Sequence, residues 1–260
     1  MSKQVKSLAT TLGSVLATLF GLAVITFMIG RVMPVDPVIA AVGDNAPEAV
    51  VQQMRAEMRL DDPLIVQFGH YLSQLVQGDL GKSVLTKNPV TSDIAHYFPA
   101  TVELATFALL IAILIGVPLG IWSAVRQGTW TDQIIRVLCL AGHSVPVFVL
   151  ALLGLIIFYA ALGIAPGPGR QDIIYQDMFP VVTGFLTVDS LLAGDFGAFR
   201  DALAHLVLPV LTLSYFSMAY ITRMTRAFML DALKGEFIVA ARAKGLSGPR
   251  VVMGHAFPTV

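Results

Sequence analysis

Four stretches of the chain lack charged side chains over a length that could cross a bilayer: Ser7–Gly30, Leu104–Val125, Val137–Gly169 and Ala202–Thr222. A hydrocarbon core about 30 Å thick takes roughly 20 helical residues. All four reach that length. The third exceeds it, so part of it is expected to be loop, beginning at Pro166-Gly167-Pro168-Gly169. Between the first two spans, apolar residues recur among charges. Val50, Val51, Met54, Met58 and Leu60 predict a short surface helix over Pro47–Leu60. Ile65, Val66, Phe68, Tyr71, Leu72 and Leu75 predict a second amphipathic helix. The fold class is therefore all-α, a polytopic helical membrane protein.

The last 38 residues, 223–260, follow a different pattern. A helix is expected to continue from the fourth span through Asp231 and to break at Lys234-Gly235. A short helix then covers Phe237–Lys244, ended by Gly245 and Gly248-Pro249. Ala240, Ala241 and Ala243 give this helix a small, smooth surface, flanked by Arg242 and Lys244. Small side chains allow close backbone approach, which suits a helix lying in a groove on a partner. By spacing alone, a membrane-surface helix leading into another span fits equally well.

Composition strengthens the membrane reading. Only 13% of the 260 residues are charged and 56% are hydrophobic, whereas soluble domains carry about 25% charged residues. Lys+Arg and Asp+Glu balance at 17 each, so no nucleic-acid partner is expected. With the N-terminus in the cytoplasm, the inner segments hold ten basic residues against three acids, Asp132, Asp231 and Glu236. The outer segments hold seven basic residues and thirteen acids. This asymmetry predicts that orientation. Residues 31–100 and 165–201 then lie outside, and 126–136 and 223–260 inside. The first apolar run is 24 residues, longer than the h-region of about 7–15 in a signal peptide. It is read as an uncleaved first helix.

Candidate chemistry is sparse. Glu103 sits at the outer edge of the second span, where a charge is costly. It is a candidate gate residue, or else a carboxylate facing water. His143 is a candidate pathway residue, or else a hydrogen-bonded packing histidine. Asp201 and His205 start the fourth span at the outer surface, where capping accounts for them as well as binding does. The single cysteine, Cys139, is expected to be a small core residue. Gly116 and Gly120 make a small-xxx-small pair. Pro118, Pro146 and Pro209 are expected to kink helices, and Trp122 and Trp130 to anchor at the interface. No His, Cys, Asp or Glu cluster has metal-ligand spacing, and no cofactor is expected. Gly81-Lys82-Ser83 resembles the end of a phosphate-binding loop, but Val76 stands where that loop needs glycine.

The tail resembles the cytoplasmic coupling loop of ABC importer permeases, whose pattern is E-A-A-x3-G-x9-I-x-L-P. Ala240, Ala241, Gly245 and Pro258 match it. Val239 stands in the glutamate place, His255 in the isoleucine place and Phe257 in the leucine place. Other stretches agree in order: RVMPVDP (31–37), LDDPL (60–64), GDLGKSV (78–84), PATVELA (99–105), HLVLPVLTL (205–213), TRMTRAFMLDAL and ARAKGLS. Together they resemble the dipeptide/oligopeptide/nickel branch of these permeases over nearly the whole chain.

The resemblance implies a type I ABC importer transmembrane domain, of which four spans of the usual six are expected here. It implies residues 1–30 as N-terminus and first span, 31–98 as an extracytoplasmic segment, and 99–260 as the core domain with its coupling loop at 223–260. It implies a second permease subunit, two cytoplasmic ATP-binding subunits, an extracytoplasmic substrate-binding protein and surrounding lipid. Phe237, Ala240, Ala241, Arg242, Lys244, Gly245 and Leu246 are the implied ATPase contacts. Di- or oligopeptides lead the substrate classes; relatives in the branch carry nickel, glutathione and sugars. The competing readings are weaker. A channel or secondary transporter would need ionisable residues within the spans, and spans one, three and four have no Asp, Glu, Lys or Arg. An intramembrane protease would need Ser144 and His143 to pair, but neighbours on a helix point about 100° apart.

Overall fold

The computed structural model describes residues 3–32, 38–39, 43, 46–57, 59–83 and 85–260. Among them, regular structure is helical apart from one antiparallel bridge between Lys82 and Pro89. The chain divides into two compact units, Met1–His96 and Tyr97–Val260.

In the first unit, α1 (Lys3–Val32) is followed by α2 (Glu48–Glu57) and α3 (Leu64–Val76). Both amphipathic helices expected from the apolar spacing are present. Met58, Val84 and most of the Arg31–Pro37 motif lie outside the described residues. One flank of α1 is covered by aromatic contacts from α3. The Phe68 ring centroid lies 5.2 Å from Phe27 and 5.9 Å from Phe20. Leu8, Leu12, Leu16, Leu19 and Ile25 remain exposed, as suits a helix whose solvent is hydrocarbon. The Gly81 N–H donates to the Asp79 carboxylate at 2.9 Å and Gly81 has φ +76°. This is a tight turn in which the Asp79 carboxylate takes the Gly81 donor.

The second unit is arranged around one long helix. The elements are α4 (Val90–Val125, which begins before the unit boundary), α5 (Trp130–Ser144), α6 (Val147–Gly154), α7 (Leu186–Leu192), α8 (Phe196–Leu233), α9 (Glu236–Ala243) and α10 (Gly248–Val251). Helix α6 continues as a π-helical stretch, Leu155–Ala161. Helices α1, α4 and α8 are long and apolar enough to cross a membrane.

The third predicted span departs from expectation. In place of the kink expected at Pro146 within Val137–Gly169, α5 and α6 meet at 97° across a break. Val145 is extended (φ −98°, ψ 127°) and Pro146 is the N-cap of α6. Proline lacks the N–H that would continue α5 and forces its predecessor out of the helical region. Pro118 and Pro209 remain inside continuous helices. The helical part ends at Ala161, ahead of the predicted loop start at Pro166. Polar turns also lengthen α4 at its start and α8 at both ends, beyond their apolar cores. Helix α8 starts at Asp195, whose carboxylate accepts from the Ala198 N–H at 2.9 Å, a side-chain N-cap. Asp201 and His205 therefore lie inside the helix and are not its caps.

Glycines let the neighbouring helices approach α8. A Cβ on Gly120 would lie 2.7 Å from Thr225 Cβ and 2.8 Å from the Thr222 carbonyl oxygen. A Cβ on Gly116 would lie 3.2 Å from Ile221. The Thr222 hydroxyl donates across this contact to the Gly116 carbonyl at 3.1 Å. Gly142 on α5 faces Tyr215 and Gly154 on α6 faces Leu208 in the same way. Small residues at helix crossings are the means by which apolar helices associate where burial from water gives no drive.

Candidate functional site

Helix α9 hangs from α8 by the two-residue break Lys234-Gly235. Its C-terminus is a Schellman cap. The Leu246 N–H bonds the Ala241 carbonyl at 3.4 Å, the Gly245 N–H bonds the Arg242 carbonyl at 2.9 Å, and Gly245 has φ +78°. The predicted helix stop at Gly245 is thus present, for the left-handed backbone that glycine tolerates. Gly248-Pro249 do not end the helix; they open α10, with Pro249 near its N-terminus where a missing N–H costs nothing.

The smooth alanine surface splits between two faces. Ala241 is 4% exposed and Ile238 1% exposed. They pack with Ala124, Met229, Val251 and Ala256 into one apolar cluster that Leu246 flanks. Phe237, Val239, Ala240, Arg242 and Lys244 are exposed. Of the seven residues implied as ATPase contacts, Ala241 and Leu246 therefore belong to the inner face. An eight-residue helix turns one flank to its own core, and spacing by itself does not say which.

One turn before Met229, Arg226 enters a buried network. Its Nε and Nη2 donate to the two oxygens of Asp132 at 2.8 and 2.9 Å, and Asp132 is fully buried. The Ser123 hydroxyl donates to the same carboxylate at 2.6 Å and the Gly128 N–H at 3.0 Å. The network joins the end of α4, the start of α5 and α8. Residue spacing does not predict it, although one signal points to it: Asp132 is the one acid in the basic segment 126–136.

At the other end of the helices, Glu103 is 3% exposed and does not face water. It accepts from Arg170 at 2.9 Å, the Leu186 N–H at 3.2 Å, the Thr187 N–H at 2.9 Å and the Thr187 hydroxyl at 2.6 Å. It thereby ties α4 to the 165–201 loop. Asp189 organises that loop further, accepting from the amides of Val182, Thr183 and Gly184 and from the Thr183 hydroxyl. Burial pushes the Asp189 carboxyl up, but these hydrogen bonds together outweigh burial and hold it below its ordinary value. A depressed folded value gives stability that is present above the unfolded carboxylate range and lost as pH falls through the folded value. Hydrogen exchange at Val182, Thr183 and Gly184, corrected for intrinsic rates, is expected to accelerate as pH drops below about 4. Asp189→Asn is expected to show fast exchange at all pH values. Identical protection at pH 6 and pH 3 in the native chain would contradict this.

The tertiary fold also brings Asp172 to Asp201 and His205, which sit four residues apart on one helix face; the ligand atoms of all three lie within 4.8 Å of one another. The Asp172 N–H donates to Asp201 at 2.8 Å and His205 Nδ1 donates to the Asp201 carbonyl at 2.9 Å. His143 is exposed, and its ring stacks on Phe216 with centroids 5.6 Å apart. It lines a cavity of about 370 Å³ between α4, α5 and α8, and so does Cys139, which is only half-buried.

Long apolar helices crossing on glycines, with polar side chains spent on tying loops and helix ends, define a multi-pass membrane subunit. The chain belongs to the binding-protein-dependent transport system inner membrane component family, which residues 116–260 match. Residues 5–105 match the N-terminal part of such membrane components. The chain is 44% identical over 238 residues to the probable D,D-dipeptide transport system permease protein DdpB of Escherichia coli, covering 92% of this chain and 70% of that protein. It is 40% identical over 253 residues to the di/tripeptide transport system permease protein DppB of Pseudomonas aeruginosa, covering 96% and 74%. It is 36% identical over 248 residues to the dipeptide transport system permease protein DppB of Escherichia coli, covering 94% and 73%. It is thus an inner-membrane component of a multi-subunit importer.

Proposed function

We propose that this chain forms half of the translocation pathway of an ATP-driven importer of short peptides, with α9 as the helix that receives force from a cytoplasmic ATPase. The observation that carries the reading is the two-sided character of α9. Its inner face is packed against Met229 of α8 and Ala124 of α4, while its outer face offers Phe237, Val239 and Ala240 beside Arg242 and Lys244. A partner that moves α9 as a body moves α8 with it. The Arg226–Asp132 pair then carries that motion to α5. The names of the relatives supply the peptide class. In this reading the N-terminus, the α4–α5 turn and α9 are cytoplasmic, in keeping with their excess of basic residues. A second permease completes the pathway, a binding protein delivers peptide from outside, and two ATPases bind below. The spans are the two-state element that ligand and nucleotide bias, and the chain itself performs no bond chemistry.

The test separates the two faces of α9. Tagged protein is recovered from its own membranes in mild detergent and its partners are identified by mass. An ATPase carrying a phosphate-binding loop is expected to co-purify. Ala240→Arg, on the outer face, is expected to reduce its recovery about tenfold or more with little change in Tm. Ala241→Trp, on the inner face, is expected to lower Tm first, through overpacking. Gly245→Val is expected to act like Ala241→Trp, because a β-branched residue is strained at this φ. Undiminished ATPase recovery with Ala240→Arg would sink the assignment of that face.

A further inference from the structure

The 370 Å³ cavity between α4, α5 and α8 is lined by Arg136, Arg223 and Arg226, together with Gln133, Cys139 and His143. Its charge is lopsided. Asp132, the carboxylate that Arg226 binds in a two-pronged pair, is fully buried and consumed by that pair. Among the described residues, neither Arg136 nor Arg223 forms an ion pair. The Arg223 guanidinium instead lies over the Tyr220 ring, 5.7 Å from its centroid. Arg136, Arg223 and Gln133, each exposed, thus line one open recess whose walls are largely apolar. Such walls strengthen a charge interaction relative to water, and guanidinium suits a two-oxygen anion.

We propose that this cavity is an oxyanion site, and that its ligand is the carboxylate end of the transported peptide as it leaves the pathway. The assignment of the ligand rests on the peptide-importer reading; the oxyanion site itself does not. A phospholipid phosphate presents the same chemistry and is the other source of such an anion.

Cys139 gives a direct reporter, being the chain's one cysteine and part of the lining. In the assembled importer, its modification by anionic and cationic methanethiosulfonate reagents of similar size is followed by mass. The anionic reagent is expected to react about tenfold faster or more. The preference is expected to vanish in the Arg136→Gln, Arg223→Gln double variant and to survive in Arg136→Lys, Arg223→Lys. In phosphatidylcholine vesicles, dialanine is expected to slow the anionic reagent and dialanine amide to leave it unchanged. Slowing by phosphatidylglycerol but not by dialanine would keep the oxyanion site and overturn the peptide as its occupant. Equal rates for the two reagents in the native chain would overturn the site. Loss of the importer reading has a separate signature: no ATP-driven dialanine uptake by the same vesicles, while Cys139 still prefers the anion.

Discussion

Replacing Asp132 by alanine is expected to cost about 3–5 kcal/mol, the usual cost of leaving one partner of a buried ion pair alone. Arg226 would lose both of its carboxylate bonds, and the Ser123 hydroxyl and the Gly128 N–H would lose their acceptor. Three elements, α4, α5 and α8, lose a shared tie at once. For a chain of this size the expected fall in Tm is roughly 6–20 °C, read by thermal unfolding in detergent. Asp132→Ala combined with Arg226→Met is expected to cost less than Asp132→Ala alone, because no charge is left uncompensated. If the double variant instead loses as much as the two single variants added together, the pair is not acting as a unit.

Gly120→Leu is expected to separate α4 from α8. Even its Cβ would sit 2.7 Å from Thr225 Cβ and 2.8 Å from a backbone oxygen. The backbone oxygen cannot rotate away as a side chain can. Overpacking typically costs about 1–3 kcal/mol where side chains can adjust, and more is expected here. Gly116→Ala, whose Cβ would meet its nearest neighbour at 3.2 Å, is expected to be milder. Gly13→Leu on α1, with open space around its Cβ, is the control and is expected to leave the stability of the purified chain unchanged. Measured as Tm and as crosslinking of a cysteine pair placed across the α4–α8 contact, equal behaviour of Gly120→Leu and Gly13→Leu would refute the close crossing.

Parts of the site are legible in the amino-acid sequence because they depend on local chemistry. Gly245 reads as a helix stop because the left-handed turn there is a property of the residue's own backbone. Lys234-Gly235 reads as a break because glycine is a poor helix former, and Gly235 takes the extended N-cap conformation (φ −63°, ψ 145°). Glu103 stands out as a charge at a membrane edge, but its neighbours decide what it does. Thr187 lies 84 positions away in the chain, and no spacing rule connects the two. The same limit hides the pairing of Arg226 with Asp132, which are 94 positions apart.

The chain's own order of residues determined that it lives in a membrane, where three of its long apolar helices lie and where the short helix α9 starts and stops. Those properties follow from transfer energies and backbone preferences, which act residue by residue. Tertiary structure decided the rest. It broke the third predicted span at Pro146, where two helices meet at 97° and where a kink and a break look alike in sequence. It turned Ala241 inward and Ala240 outward, and chose which of the scattered charges meet. Each of these outcomes depends on which helices touch, and a contact between distant segments is an energy that no single stretch of sequence contains.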